Sequence, residues 1–225
     1  MIRVAIAGAG RMGKAIAAGI DAHDDLELVG TWGRGDDLDA RVRQADVVVD
    51  CSRPDGTMQV IDAGVAHTRP LVCGVSGLDD VQMARVDEAA ASIPVVYDRN
   101  MSLGIAVLAH SVREAAASLG MDFDVEIAEV HHVHKKDAPS GTALKLGEIV
   151  AAARGEQGTG SVRFQSERRG EVPGDHEVVM SSRTERLTFS HSVTTRQVFA
   201  DGALRAARSI VGQKPGLYAM SDVLF

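Results

Sequence analysis

Residues 2–7 form a short apolar run that passes without a break into Gly8-Ala-Gly-Arg-Met-Gly13, and a helical pattern takes over across 14–21. No other feature narrows the fold as much. An apolar strand, a Gly-x-Gly-x-x-Gly turn and a helix in immediate succession open a βαβ unit, the crossover that parallel strands require. In such a unit Gly8 permits the tight turn, Gly10 lets the backbone come close to a ligand, and Gly13 lets the helix pack on the sheet. Further strand patterns fall at 26–30, 46–51, 70–73 and 94–97, and a helix is predicted over 79–92. The nearly all-apolar run at 46–51 has the pattern of a parallel strand covered on both faces. Pro54 is well placed for the first turn of the helix that follows it. Strands alternating with helices as far as residue 97 specify a doubly wound, Rossmann-type α/β sheet.

In that setting the glycine turn reads as a dinucleotide fingerprint rather than an ordinary turn. Gly8, Ala9, Gly10, Arg11, Met12 and Gly13 form its phosphate-facing loop at a helix N-terminus. An acid about 20 residues farther on holds the ribose 2′-hydroxyl in NAD-binding proteins. Here the count lands on Thr31-Trp-Gly-Arg-Gly35, which has no acid, with Asp36 and Asp37 close by. Arg34 suits the 2′-phosphate of NADPH, or it is an exposed arginine in a plain turn. On the first reading NADPH is used at least as well as NADH.

The other stretch that carries chemistry is 129–144, Glu-Val-His-His-Val-His-Lys-Lys-Asp-Ala-Pro-Ser-Gly-Thr-Ala-Leu. Five of the six residues 131–136 are His or Lys, in a chain of formal net charge -7. Such a local reversal of sign reads as an anion receptor, or as a solvated loop. Ala138-Pro139 forces an extended step, and Ser140 is a good N-cap for a helix predicted over 140–154. A helix N-terminus also prefers an anion. On a strand, alternation separates His131 from His132 and pairs His132 with His134. One pair without a carboxylate partner is too few ligands, so no metal is expected.

The segment Glu-x-His-His-x-His-Lys-x-Asp-Ala-Pro-Ser-Gly-Thr-Ala resembles the signature of the 4-hydroxy-tetrahydrodipicolinate reductase (dihydrodipicolinate reductase) family, and the resemblance extends over nearly the whole chain. It implies reduction of the dihydrodipicolinate ring with NADPH or NADH, in the diaminopimelate route to lysine. His131 and Lys135 would be catalytic. His132, Ser140, Gly141, Thr142 and Arg205 would hold the carboxylates of a small dianionic substrate. Gly74, Val75 and Ser76 resemble a loop beneath the nicotinamide. Asp98, Arg99, Asn100 and Met101 correspond to a segment whose backbone contacts the nicotinamide amide, although small residues are usual where Asp98 and Arg99 stand. Arg196, Arg205 and Arg208 serve equally as the basic solvent face of a last long helix, predicted over 194–208.

The resemblance also implies a division of the chain. Residues 1–102, completed by 206–225, would be the cofactor domain. Residues 103–205 would be an inserted α+β domain for substrate binding and oligomerisation, built on an open mixed sheet. A helix at 105–119 leads into it, and strands at 162–165, 176–180 and 185–191 are expected to pair antiparallel. The family has a longer stretch after its Val-Pro-Gly, with another strand and a Gly-Glu-His turn. Here Val172-Pro-Gly174 leads almost straight to His176, so a strand is expected to be missing or shortened. A homotetramer is expected, with a dimer as the alternative.

Acidic balance and 4% aromatic residues argue against nucleic acid or an anionic membrane as partner. No apolar run approaches a transmembrane length, and residue 2 enters a strand without a signal-peptide layout. Cys51 and Cys73 sit in apolar runs, as reduced thiols of a cytoplasmic protein do. Two rivals stay open: a related dehydrogenase acting on another small acid, and a non-catalytic NAD(P)-sensing module.

Overall fold

The computed structural model describes residues 1–33 and 35–225. They fall into two compact units, Met1–Leu103 with Arg196–Phe225, and Gly104–Thr195.

The first unit is a six-stranded parallel sheet. Its strands are β1 (Ile2–Ala7), β2 (Leu26–Trp32), β3 (Val47–Asp50), β4 (Leu71–Cys73), β5 (Pro94–Tyr97) and β10 (Gly216–Tyr218), in the order β10-β5-β4-β3-β1-β2. β1 has β2 on one side and β3 on the other, so the winding reverses there. Ligands of doubly wound sheets bind at such a reversal, beyond the carboxyl ends of the strands. All four residues of β3 are buried, as its unbroken apolar run requires.

Helix α1 (Arg11–Asp21) starts three residues earlier than the sequence pattern indicates, because extended Gly10 is its N-cap and its carbonyl takes the Lys14 N–H at 3.1 Å. An additional helix, α2 (Leu38–Gln44), is capped by the Asp37 side chain, which accepts from the Ala40 N–H at 3.0 Å. α3 (Pro54–Ala66) has its proline in the first turn, and α4 (Asp80–Ala90) opens with an Asp79–Gln82 capping box. α7 (Gln197–Ile210) packs along α1, and Arg208 bonds Asp25 at 2.6 and 2.9 Å. The whole of α7 therefore belongs to the first unit, which moves the division from 205/206 to 195/196. Residues 216–218 close the sheet edge beside β5, and α8 (Met220–Leu224) ends the chain.

In the second unit, α5 (Leu103–Leu119) and α6 (Gly141–Ala153) cover a four-stranded sheet of β6 (Asp124–His131), β7 (Val162–Arg168), β8 (Asp175–Ser181) and β9 (Arg186–His191). The order is β7-β6-β8-β9. β8 runs antiparallel to β6 and β9 and β7 is parallel to β6, so the sheet is mixed as expected. Of the three later strands expected to pair antiparallel, β8 and β9 do, while β7 lies on the far side of β6. The reason β7 is parallel is its connection: α6 lies between β6 and β7, and a helical crossover delivers a parallel strand. Ile105, Leu108, Val112, Ile127, Leu146, Val150, Val178 and Met180 form the core. On β6 the buried positions alternate as Val125, Ile127, Glu129 and His131. The face that is apolar at the start of the strand ends in a carboxylate and an imidazole.

Candidate active site

In the first unit, the glycine turn is a cradle that side chains would fill. Gly8 has φ +119°, where L residues are strained, and a Cβ there would stand 2.7 Å from the Cys51 carbonyl oxygen. A Cβ on Gly13 would lie 1.8 Å from Gly8 O, whereas nothing lies within 4 Å of one on Gly10. The turn is thus closed underneath and open at Gly10, the shape a pyrophosphate needs above α1. A cavity of about 520 Å³ beside it is lined by Gly8, Ala9, Gly10, Trp32, Gly33 and Arg53, among others. A second, of about 310 Å³, is lined by Met12, Ser52, Pro54, Gly74, Val75 and Ser76, among others. The glycine turn and the 74–76 loop therefore share one region, and Cys51, Ser52 and Arg53 line both cavities.

The sequence at 52–56 opens a helix and resembles a segment of the family, but Ser52 and Arg53 are not among the site residues expected from it. Their position after the central strand β3 was the available signal. Asp50, fully buried, fixes that turn: it accepts from the Ser52 N–H at 2.9 Å and from Ser52 Oγ at 2.6 Å, and burial pushes its carboxyl upward.

The segment after β5 is held by its own side chains. Asp98 is buried and accepts from the N–H groups of Asn100, at 3.1 Å, and Met220, at 3.4 Å. Asn100 Oδ1 accepts from the Ser102 N–H at 2.9 Å. The Asp98 that departs from the family pattern thus ties the end of β5 to the start of α8. Met101 is buried against Gly74, while Arg99, Arg11 and Ser76 are exposed. Arg34 lies outside the described residues.

In the second unit, one carboxylate organises the signature. Glu129, with a side-chain exposure of 0%, receives His131 Nδ1–H, the Arg168 guanidinium at 2.9 Å and the Ser140 N–H at 3.3 Å. Burial alone would raise the Glu129 carboxyl, but Arg168 and His131 outweigh it and hold it below the usual range. Burial, helped by the Lys135 and Arg168 charges, holds His131 below the ordinary histidine value despite Glu129, whose carboxylate accepts the Nδ1–H. A Cβ on Gly174 would lie 2.8 Å from His131 Nε2, so only glycine lets the chain pass there. His176, buried, meets His131 edge-on with ring centroids 5.2 Å apart and stands 3.2 Å from Ser140 Oγ. Burial, then His131, push His176 down to about 3. Ser140 Oγ accepts from the Ala143 N–H at 3.2 Å, the N-cap expected of it. Glu129, Arg168 and His176 were not singled out from the sequence. Glu129 could have been, as an acid on the buried parity of β6, but nothing local marks Arg168.

His131 and Lys135 do not lie on one extended strand. β6 ends at His131, and the chain turns so that Lys135 N–H meets His132 O at 3.1 Å. The His132 and His134 rings are 5.9 Å apart across that turn, not along a strand. The basic run is also largely balanced locally. Lys135 Nζ lies 2.8 Å from Asp137, His134 Nε2 lies 3.1 Å from Glu171, and Arg168 spans the carbonyls of Lys135 and Asp137. Burial would raise Asp137, but the Lys135 ammonium holds it low. Lys135 keeps a side-chain exposure of 23%. Arg205 is exposed on α7, in the other unit from the signature. Among the described residues, no group of three or more His, Cys, Asp or Glu is placed to hold a metal ion. Nor is any helix among them long and apolar enough to cross a membrane.

A parallel sheet with this cradle at its reversal, followed in one chain by a mixed sheet that carries a carboxylate-held basic turn, has the plan of a pyridine-nucleotide oxidoreductase. The family follows from sequence. Family models for dihydrodipicolinate reductase match residues 2–101 (N-terminus) and 104–224 (C-terminus), and the chain belongs to that family. It is 40% identical over 242 residues to the 4-hydroxy-tetrahydrodipicolinate reductase of Zymomonas mobilis, covering 97% of this chain and 95% of that protein. It is 39% identical over 249 residues to the same-named protein of Caulobacter vibrioides, covering 99% and 97%. Among solved structures, a dipicolinate-bound dihydrodipicolinate reductase from Paenisporosarcina sp. TG-14 shares the fold with a TM-score of 0.84, at 23% identity and 100% coverage of both chains.

Proposed function

We propose that this chain reduces 4-hydroxy-tetrahydrodipicolinate, through dihydrodipicolinate, to tetrahydrodipicolinate with NADPH or NADH, in the diaminopimelate route to lysine. The observation that carries this reading is the full-length similarity to reductases of that name. The first unit binds the dinucleotide through Gly8 to Gly13, Gly74 to Ser76 and the backbone of 98–101. The second binds the substrate and joins the protomers.

When bound, the nicotinamide supplies a hydride to the ring; the protein must orient the ring and deliver a proton. Lys135 is the donor. It is an ammonium on an exposed turn, steadied by Asp137, and it offers its proton beside an anionic ring. His131 is held below the ordinary histidine value and hemmed in by Glu129 and Gly174, so it positions the turn that carries Lys135. His132 and the first N–H groups of α6, at Gly141 and Thr142, hold the carboxylates, with Ser140 keeping the helix start in place.

The protomers form a tetramer, or failing that a dimer, through the second sheet. None of the six residues of the edge strand β9 is buried, which supports association there. Light scattering that gave a monomer at micromolar concentration would reject this. A cytoplasmic location belongs to the same reading, with Cys51 and Cys73 as free thiols. The decisive assay follows oxidation of NADPH and of NADH when 4-hydroxy-tetrahydrodipicolinate is generated in the cuvette. Oxidation of neither would reject the reading.

A further inference from the structure

We propose that Asp36 reads the adenosine ribose of the dinucleotide and sets a preference for NADH over NADPH. The proposal rests on the reading of the glycine cradle as the dinucleotide site. In Rossmann-type units the residue that tells the two cofactors apart is an acid just beyond the second strand, which accepts from the ribose 2′-hydroxyl. Here β2 ends at Trp32 and the next residue is glycine, so the sequence position is empty of charge.

The structure fills it from farther along the chain. Asp36 folds back so that its Oδ2 accepts from the Gly33 N–H at 2.8 Å, and its own N–H is donated to Gly33 O at 3.2 Å. A Cβ built on Gly33 would lie 3.6 Å from that carboxylate oxygen and 3.1 Å from the Ala9 Cβ in the glycine turn. The Asp36 carboxylate therefore stands next to where a side chain of residue 33 would begin. A third bond holds the backbone in place: Trp32 Nε1 donates to Asp36 O at 3.2 Å. The Asp36 side chain is 44% exposed, and its partners Trp32 and Gly33, with Gly35, line the cavity. Glycine at 33 is what leaves room for the substitute.

The chemistry of that placement has a sign. A carboxylate accepts hydrogen bonds from a ribose diol and repels a phosphate at the same point. The neighbouring cation, Arg41, is 3.8 Å from Asp36 Oδ1, beyond hydrogen-bonding distance. With Asp36 present, Arg41 is offset by it; with Asp36 removed, Arg41 is left to attract a 2′-phosphate. Arg34, read from the sequence alone, points toward NADPH, and the placement of Asp36 points the other way.

Trp32 is the only tryptophan of the chain and lines this cavity, so its fluorescence reports dinucleotide binding without turnover. Wild-type protein is expected to bind NADH at least about tenfold more tightly than NADPH, the size of effect that a single charge-assisted hydrogen bond has on affinity. Asp36→Asn keeps an oxygen for the Gly33 N–H but removes the charge. It should shift the ratio of the two affinities toward NADPH by about tenfold or more, with an unchanged thermal melt. Asp36→Ala should shift it further, and adding Arg41→Ala should cancel the gain for NADPH without altering NADH. A wild-type preference for NADPH, or a ratio that neither Asp36 variant moves, overturns the proposal. Failure of the wild type to bind either dinucleotide would reject the cradle reading itself, and the proposal with it.

Discussion

At the glycine turn of the first unit, the telling quantity is what is absent: a Cβ on Gly13 would stand 1.8 Å from a carbonyl oxygen. At the end of β6 in the second unit it is what is present, one buried carboxylate serving His131, Arg168 and Ser140 together. The first region presents backbone to its ligand and has no room for added atoms at Gly8 or Gly13. The second presents side chains held by other side chains, and has no tolerance for a lost charge. A phosphate can be met by the fixed N–H groups of a helix end, which the fold supplies without titratable groups. A proton cannot be delivered that way. It needs an ionisable group, and that group needs partners to fix its position and charge state.

The contrast is open to experiment. The largest effect is expected from Glu129→Ala, which leaves buried His131 and part-exposed Arg168 without the carboxylate they share. Breaking a buried pair on one side costs about 3–5 kcal/mol. Urea unfolding followed by circular dichroism measures it, and a loss below about 1 kcal/mol, the range of an exposed pair, would show that the network is ornamental. Next is Lys135→Met, expected to lower kcat by on the order of 10²-fold, about 2.7 kcal/mol, with KM little changed. His132→Ala should do the reverse and act mainly on KM. A near-normal kcat for Lys135→Met at saturating substrate would reject Lys135 as the proton donor.

In the first unit, Gly13→Ala forces the loop away from α1. It should weaken dinucleotide binding about thirtyfold, on the order of 2 kcal/mol, in a fluorescence titration. Unchanged affinity would remove the steric basis of the comparison.

The last effect is a slope rather than a single loss. His131 and His176 are held below the ordinary histidine value, His176 near 3. The unfolded chain takes up these protons as pH falls below about 6.5, but the folded unit takes them up only at lower pH, for His176 near 3. Stability is therefore complete above about 6.5 and declines as pH falls, by about 1.4 kcal/mol per pH unit for each histidine. Glu129 and Asp137, held low by their cations, add to the loss at still lower pH. Urea midpoints at about pH 7 and about pH 5, on either side of the ordinary histidine value, measure the slope, and His176→Gln should flatten it. A midpoint independent of pH would mean that these imidazoles are not kept neutral by folding.

Local pattern alone determined much of this protein. The strand, glycine turn and helix at the amino terminus, the buried run of β3, proline at the start of α3 and Ser140 at the start of α6 were all legible. In each case the cause lies within a few residues: hydrophobic periodicity, a φ that only glycine tolerates, or a side chain that caps its own helix. The signature at 129–142 was legible too, as a stretch rich in basic groups. What lay beyond reading was whatever depends on residues distant in sequence. Arg168 reaches Glu129 only because α6 returns the chain to lay β7 parallel to β6. His176 meets His131 only because β8 pairs on the other side. α7 shows an apolar face in its own pattern, but that this face packs on α1, far off in sequence, is decided by the fold. Asp36 stands at Gly33 because the chain folds back after β2. Periodicity says which face a residue takes; only the packed fold decides which other residue it finds there, and with that its charge.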